Sequence, residues 1–272
     1  MKIENTGSYS IDQLKKLHST LKEILLIITE IFDSNDIPYV LIGGTALGAR
    51  RHKGFIPWDD DIDICILESD IGKIHSVSEL FLEHNLIIQN NKTENQTPYY
   101  FTKIRLNNTV FDEKIVDGIN IHKGIFVDVF PVKYITNSKK KYLLNHYLFT
   151  FLNLVYISKK TTYHSNKQKR AYLFFFSFIG LFISNKYLDK LMKNNFNDKE
   201  KTWLGYYGVK NFYFKNEDFL NRKLVEFENQ KLYQLDNVDD FLKRFFGDTF
   251  LELPPLNRRI NHKPIKLEFK KK

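Results

Sequence analysis

The sequence predicts an α+β fold, on three observations. Apolar residues recur at intervals of three and four from Ile11 to Phe32, the pattern of one buried helix face. Short apolar runs at 39–42, 62–66 and 125–130 have the length and composition of buried strands. Two later stretches, 139–157 and 170–191, read again as helices.

Taken in order, Ser10 with Gln13 forms a capping box that starts the first helix. Asn35, Asp36 and Pro38 stop it. Tyr39 to Ile42 makes a short strand, which Gly43-Gly44-Thr45 breaks, and 46–51 suits a helical turn. In the second strand Ile62, Ile64 and Ile66 share one side, and Asp61 and Asp63 the other. A helix is predicted over 69–82, and a strand pair at 99–105 and 109–111 around an Asn107-Asn108 turn. The strand at 125–130 is expected to end at Pro131. A polar stretch, 159–169, separates the two later helices. Beyond Trp203 the order is mixed, with a helix at 238–246 stopped by Gly247 and an extended tail from Leu253.

The chain has 272 residues, 43 % of them hydrophobic, enough for a substantial core. Cys65 is the single cysteine; no internal disulfide can form, and its apolar neighbours predict a buried thiol suited to a reducing compartment. Residues 1–8 have no apolar stretch of the signal-peptide kind, and no run approaches the ~20 apolar residues of a membrane span. The formal charge is +9, and its placement is uneven. Residues 136–201 carry thirteen Lys and Arg against three acidic residues, so the remainder is nearly neutral. This basic, aromatic block reads as a packed helix pair with solvated ends, or as an interfacial surface for an anionic membrane or a lipid-linked acceptor. It has no regular nucleic-acid motif, and no nucleic acid partner is expected.

The chemistry concentrates in Gly43-Gly44-Thr45 and Trp58-Asp59-Asp60-Asp61-Ile62-Asp63. Alternating carboxylates on a strand project from one face. Two such groups repel unless a cation lies between them, and oxygen-only ligands favour Mg²⁺ or Mn²⁺. The Gly-Gly-Thr turn offers backbone N–H groups and a hydroxyl for a phosphate. Asp128, in the apolar run Phe126 to Phe130, needs a partner or a metal and is the third candidate. The roles of Asp59 and Asp60 stay open. A calcium loop is excluded by Ile64 at the position that needs glycine and by the lack of a closing Glu. Arg51, Lys103 and Arg105 are candidate phosphate clamps, or ordinary surface charges. Trp58 could stack on a base or hold a quaternary ammonium, or pack in the core. His52 could touch phosphate or make a structural hydrogen bond. Arg258 and His262 could close the site from the C-terminal end, or lie in a solvated tail.

The run from Gly43 to Asp63, GGTALGARRHKGFIPWDDDID, resembles the signature of the LicD family and, more distantly, the fukutin and fukutin-related proteins. Tyr100 to Arg105, Gly124 to Pro131, Phe246-Gly247-Asp248, Leu253-Pro254-Pro255, Arg258 and His262 extend the likeness to about two thirds of the chain. Where the family often has Leu-Leu-Gly-Ala-Val-Arg, this chain has Ala46-Leu47-Gly48-Ala49-Arg50-Arg51. The resemblance implies a nucleotidyltransferase-like fold, a small mixed sheet flanked by helices; the block at 136–201 is poorly matched by it and reads as an added helical segment. Its expected division is a catalytic core at 1–135, the basic insertion at 136–201 and a segment at 202–272 that returns to the core.

The resemblance also implies metal-dependent transfer of phosphocholine or polyol phosphate from a CDP-linked donor. The acceptor is a hydroxyl of a cell-surface glycan (lipopolysaccharide, teichoic acid or capsule) or its lipid-linked precursor. Gly43, Gly44 and Thr45 fall on its phosphate loop, and Asp61, Asp63 and Asp128 on its metal positions. The location expected is cytoplasmic, with peripheral contact at the inner face of the membrane. Two rivals follow from the same residues: a nucleotidyltransferase giving NMP to a small molecule or RNA, and a non-catalytic protein binding lipid or acidic polymer.

Overall fold

A computed structural model describes residues 9–161, 167–194 and 199–269. Helix α1 (Ile11–Ser34) starts at the capping box: Ser10 Oγ accepts from the Gln13 N–H at 3.1 Å, and Gln13 Oε1 accepts from the Ser10 N–H at 3.0 Å. Its apolar face, including Leu17, Leu21, Leu25 and Ile28, is buried. The chain then runs through β1 (Tyr39–Leu41), α2 (Gly43–His52) and β2 (Asp63–Leu67). Next come the short helices α3 (Ile71–Ser76) and α4 (Ser78–Glu83), then β3 (Leu86–Gln89), β4 (Thr102–Leu106), β5 (Val110–Asp112) and β6 (Phe126–Ile135). Three helices follow, α5 (Lys139–Ser158), α6 (Lys167–Leu181) and α7 (Asn185–Asn194). The C-terminal part adds β7 (Trp203–Gly205), β8 (Tyr213–Lys215), α8 (Asn216–Leu220), β9 (Lys223–Phe227), β10 (Gln230–Gln234), α9 (Val238–Phe246) and β11 (Lys266–Glu268).

The main sheet runs β3-β4-β6-β2-β1-β10-β9, with β7 on β6 and β8 on β7. It is mixed: β2 lies parallel to β6 and β1 parallel to β10, while the other pairs are antiparallel. The α+β class and the mixed sheet flanked by helices are therefore as predicted. α1 packs on β6 and α4. Cys65 is fully buried in β2, and burial pushes its thiol well above the ordinary value.

Four local expectations change. β4 and β5 are not a hairpin: β4 lies between β3 and β6, and β5 pairs with β11 near the C-terminus. The Asn107-Asn108 turn is present, with Asn108 at φ 60, but the chain beyond it swings off the sheet. β6 does not stop at Pro131. That residue falls between the partners of β4 (126–129) and those of β7 (133–135), so neither antiparallel ladder requires its missing N–H. The helix predicted at 69–82 is broken at Val77, and the one at 170–191 at 182–184, where its halves meet at 103°. Part of the polar stretch 159–169, and the N-terminal segment 1–8, lie outside the described residues.

Candidate active site

Strand register builds the first half of the site. Asp63 on β2 pairs in register with Asp128 on β6, and Asp128 pairs with Lys103 on β4. The three side chains thus stand in a row across adjacent strands, on one face of the sheet. Lys103 Nζ donates to Asp128 Oδ1 at 2.8 Å and Oδ2 at 3.2 Å, and to Glu113 Oε1 at 3.3 Å. The ammonium also lies 3.4 Å from the centre of the Phe126 ring.

The start of α2 builds the second half. Gly43 has φ +53, and a Cβ added there would sit 2.8 Å from Asp63 Oδ2. A Cβ on Gly44 would sit 2.6 Å from Asp59 Oδ2. Only glycine lets the backbone take this left-handed turn and approach both carboxylates. Thr45 Oγ1 accepts from the Asp63 N–H at 2.8 Å, and the Ile42 N–H donates to the Asp63 carbonyl at 3.2 Å. Helix N-terminus and acidic strand are thereby locked together. The first N–H groups of α2 have no carbonyl one turn back within the helix, which makes this a place for anionic oxygens.

The third component is a latch. The side chain of Asp60 is 0 % exposed, and its oxygens draw donors from both ends of the chain. Tyr9 Oη donates to it at 2.6 Å, the His262 N–H at 3.0 Å and the Lys263 N–H at 3.3 Å. His262 Nδ1 lies 3.0 Å from Asp60 Oδ1 and 3.3 Å from Asp61 Oδ2. The C-terminal segment so reaches the acidic run that Asp60, Asp61 and His262 offer ligand atoms all within 4.8 Å of one another.

The electrostatics are those of an undercompensated acidic cluster. Burial, then the neighbouring Asp61, Asp128 and Asp59, hold the Asp63 carboxyl well above the usual range. Asp59 is raised well above it by burial and by Asp61 and Asp60. Asp61 is raised by burial, against the pull of His262. Asp128 is pushed up to about 6 by burial, with Lys103 pulling the other way. Burial also works to raise Asp60, but His262 and Tyr9 outweigh it and hold the carboxyl below the usual range. The hydrogen bond to Asp60 raises His262 to about 10.

The structure places the remaining predicted residues as follows. Arg105, two residues along β4 from Lys103 and sharing Glu113 with it, is fully buried: it donates to Gln89 Oε1 at 2.5 Å, the Gly124 carbonyl at 2.7 Å and Glu113 Oε2 at 2.9 Å, so its guanidinium is engaged within the protein. Lys103 does reach the site, engaged with Asp128 and Glu113. Arg51 points to the C-terminal segment, donating to the carbonyls of Phe250 at 3.0 Å and Glu252 at 2.8 Å, and to His52 Nε2 at 2.9 Å. Trp58 is buried, and Arg259, the neighbour of the predicted Arg258, lies 4.7 Å from its ring centre. Arg258 itself is exposed on a 3-10 turn. Tyr9, Glu113 and Arg259 carried no motif that sequence reasoning could use. Asp60 stood in the motif, but nothing in the sequence marked it as the buried member.

Divalent metal fits this donor set, although in a different grouping from the one expected. Among the described residues neither Asp61, Asp63 and Asp128 nor Asp59, Asp61 and Asp63 reach the ligand spacing of Asp60, Asp61 and His262, and Asp128 is bonded to Lys103. Around the start of α2, Asp59, Asp61 and Asp63 repel one another, with Lys103 and His262 as the counter-charges that act on Asp61. Carboxylate oxygens suit hard divalent ions, an imidazole nitrogen suits the softer transition metals, and His262 as held by Asp60 is a counter-charge before it is a ligand.

Comparison with known proteins bears on this constellation directly. Residues 36–166 match the LicD/FKTN/FKRP nucleotidyltransferase domain. The chain is 26 % identical to the lipopolysaccharide cholinephosphotransferase LicD of Haemophilus influenzae, across 89 % of this chain and 94 % of that protein. A 52-residue stretch is 38 % identical to the human ribitol 5-phosphate transferase FKRP, covering 19 % of this chain and 10 % of that protein. An uncharacterized protein of Rickettsia typhi is 36 % identical over 84 residues, 31 % of this chain and 26 % of its own length.

Proposed function

We propose, from the match of residues 36–166 to the LicD/FKTN/FKRP nucleotidyltransferase domain, that the chain transfers a phospho-group, phosphocholine or polyol phosphate, from a CDP-linked donor to a glycan hydroxyl. The acceptor on this reading is a cell-surface glycan or its lipid-linked precursor. The observation that carries the reading is the close approach of the α2 N-terminus to Asp59 and Asp63, which brings N–H groups suited to phosphate beside carboxylates suited to a cation. A binding protein has no need of that juxtaposition.

The Asp59, Asp61 and Asp63 carboxylates would hold Mg²⁺ or Mn²⁺, with the His262 cation as a counter-charge beside them. A bound ion of this kind supplies neutralisation of charge on the phosphate oxygens and on the departing CMP. The N–H groups of Gly43, Gly44 and Thr45 orient the donor diphosphate. Asp128, raised to about 6, is a base suited to neutral pH, and Lys103 fixes the direction of its carboxylate. In the transfer, the phosphorus–oxygen bond to CMP breaks, a new one forms to the acceptor oxygen, and the hydroxyl proton passes to Asp128. Trp58 under Arg259 forms one wall beside the acidic run, and Arg51 holds residues 250–252 against α2.

The proposed organisation has residues 1–135 as the core, 136–201 as an insertion and 202–272 as its completion. The pairing of β10 with β1 and of β7 with β6 supports it. The proposed location is the cytoplasm, consistent with a lone buried thiol.

The test is a panel of CDP-choline, CDP-glycerol and CDP-ribitol with Mg²⁺ or Mn²⁺, monitored for CMP release with and without candidate glycans. Label in the choline or polyol should reach the acceptor, and Asp61→Asn should abolish transfer in a folded protein. Transfer of NMP from a nucleoside triphosphate with release of diphosphate would instead establish a nucleotidyltransferase. Full turnover in chelator, or in Asp61→Asn, would refute the scheme.

A further inference from the structure

Helix α6 buries Leu173, Phe176 and Gly180, which pack toward α5: Phe176 meets Phe151, and Gly180 lies against Val155 and Lys159. Its outward face is equally apolar. Phe174, Phe175, Phe178 and Leu181, with Phe182 just past its end, are each 61–78 % exposed. An exposed stripe on α5, Leu144, Tyr147, Leu148 and Phe151, follows the i, i+3, i+4, i+7 spacing and joins this face where Phe151 touches Phe176. So large an exposed apolar surface, mostly aromatic, marks an interaction site.

Charge identifies what covers it. No Asp or Glu occurs between Asp128 and Asp189, while ten Lys and Arg fall in that interval. Lys139, Lys140, Lys167 and Arg170 are exposed at the N-terminal ends of the two helices. Protein interfaces deplete lysine and mix both signs; a carboxylate-free apolar face with a cationic rim complements an anionic lipid surface. The helix is also the wrong size to cross. At 15 residues α6 spans about 22 Å against the roughly 30 Å hydrocarbon core, and the chain turns by 103° after it.

We propose that the α5–α6 face docks flat on an anionic membrane surface, its aromatic side chains at the headgroup boundary and its lysines against the lipid phosphates. The inference is independent of the transfer chemistry.

The test uses the full chain with vesicles of phosphatidylcholine alone or mixed with phosphatidylglycerol, in a flotation assay. The protein should float with the mixed vesicles and dissociate as salt rises. The Phe174→Glu/Phe178→Glu pair, exposed in the fold, should weaken binding by about tenfold or more. CMP release with a soluble acceptor should be unchanged in that variant, which separates this proposal from the catalytic one. No flotation with anionic vesicles at low salt, or equal binding by the double variant, would overturn it. So would concentration-dependent self-association in sedimentation velocity that the double variant abolishes without vesicle binding, since the face would then belong to a second copy of the chain.

Discussion

Replacing Gly43 by alanine separates a glycine needed for chemistry from one needed only for the turn. Its φ of +53 lies where an L side chain costs roughly 1–2 kcal/mol. For a chain of this size that lowers Tm by ~2–8 °C, which leaves the protein folded at room temperature. The second effect is local. The new methyl would stand 2.8 Å from Asp63 Oδ2, where ordinary contact begins at 3.4 Å, so the carboxylate must retreat by about 0.6 Å. Displacements on the order of 1 Å in a catalytic array cost ~100-fold in rate, so turnover should fall by ~10–100-fold. Gly72→Ala is the control: that position has no neighbour within 4 Å and no left-handed backbone, and both readouts should stay put. Thermal melts and CMP release on the two variants decide the matter. If Gly43→Ala loses stability as expected but turns over at the wild-type rate, the close approach to Asp63 has no catalytic meaning.

Three further outcomes follow from the same geometry. Asp63 is raised in the folded state, so its ionisation costs stability once pH rises past the unfolded value, and the cost grows until the folded value is passed. Asp63→Asn should therefore raise Tm in chelator while reducing the gain in Tm on adding Mg²⁺ or Mn²⁺; a lower Tm in chelator would contradict the repulsion. In metal-free protein the His262 imidazole should titrate near 10 by NMR. The stabilisation from its charged form is complete below the unfolded value near 6.5 and is lost as pH climbs through about 10; Asp60→Asn should return the midpoint toward the ordinary range. Arg105→Ala should destabilise by ~3–5 kcal/mol in chemical denaturation, because Glu113 and the Gly124 carbonyl lose a buried donor, and Arg105→Lys should not restore the fork.

The parts of this architecture that local pattern specifies were readable in advance. The capping box, the spacing of Leu17, Leu21, Leu25 and Ile28, and the alternation of Ile62 to Ile66 are short-range signals, and each is where it was expected. The carboxylate row was legible in part. Alternation puts Asp61 and Asp63 on one side, but the register that sets Asp63 beside Asp128 depends on β6 arriving parallel from a distant part of the chain. What could not be read were long-range choices. Nothing in Val110 to Asp112 says that its partner is Lys266 to Glu268. Arg105 and Lys103 look alike in sequence as basic residues on a strand and both bond Glu113, yet one goes on to Gln89 and Gly124 and the other to Asp128. The burial of a polar side chain is decided by what folds over it.

The hold that Asp60 keeps on Tyr9 and His262 joins parts of the chain that are synthesised far apart in time. Asp60 and His262 are separated by 202 positions, so a nascent chain exposes the acidic run long before the imidazole that neutralises it has left the ribosome. Until then the carboxylates have only one flank of their enclosure. A C-terminal truncation ending before residue 262 would reproduce that immature state permanently, and a bulky tag placed close behind it would press on the same joint.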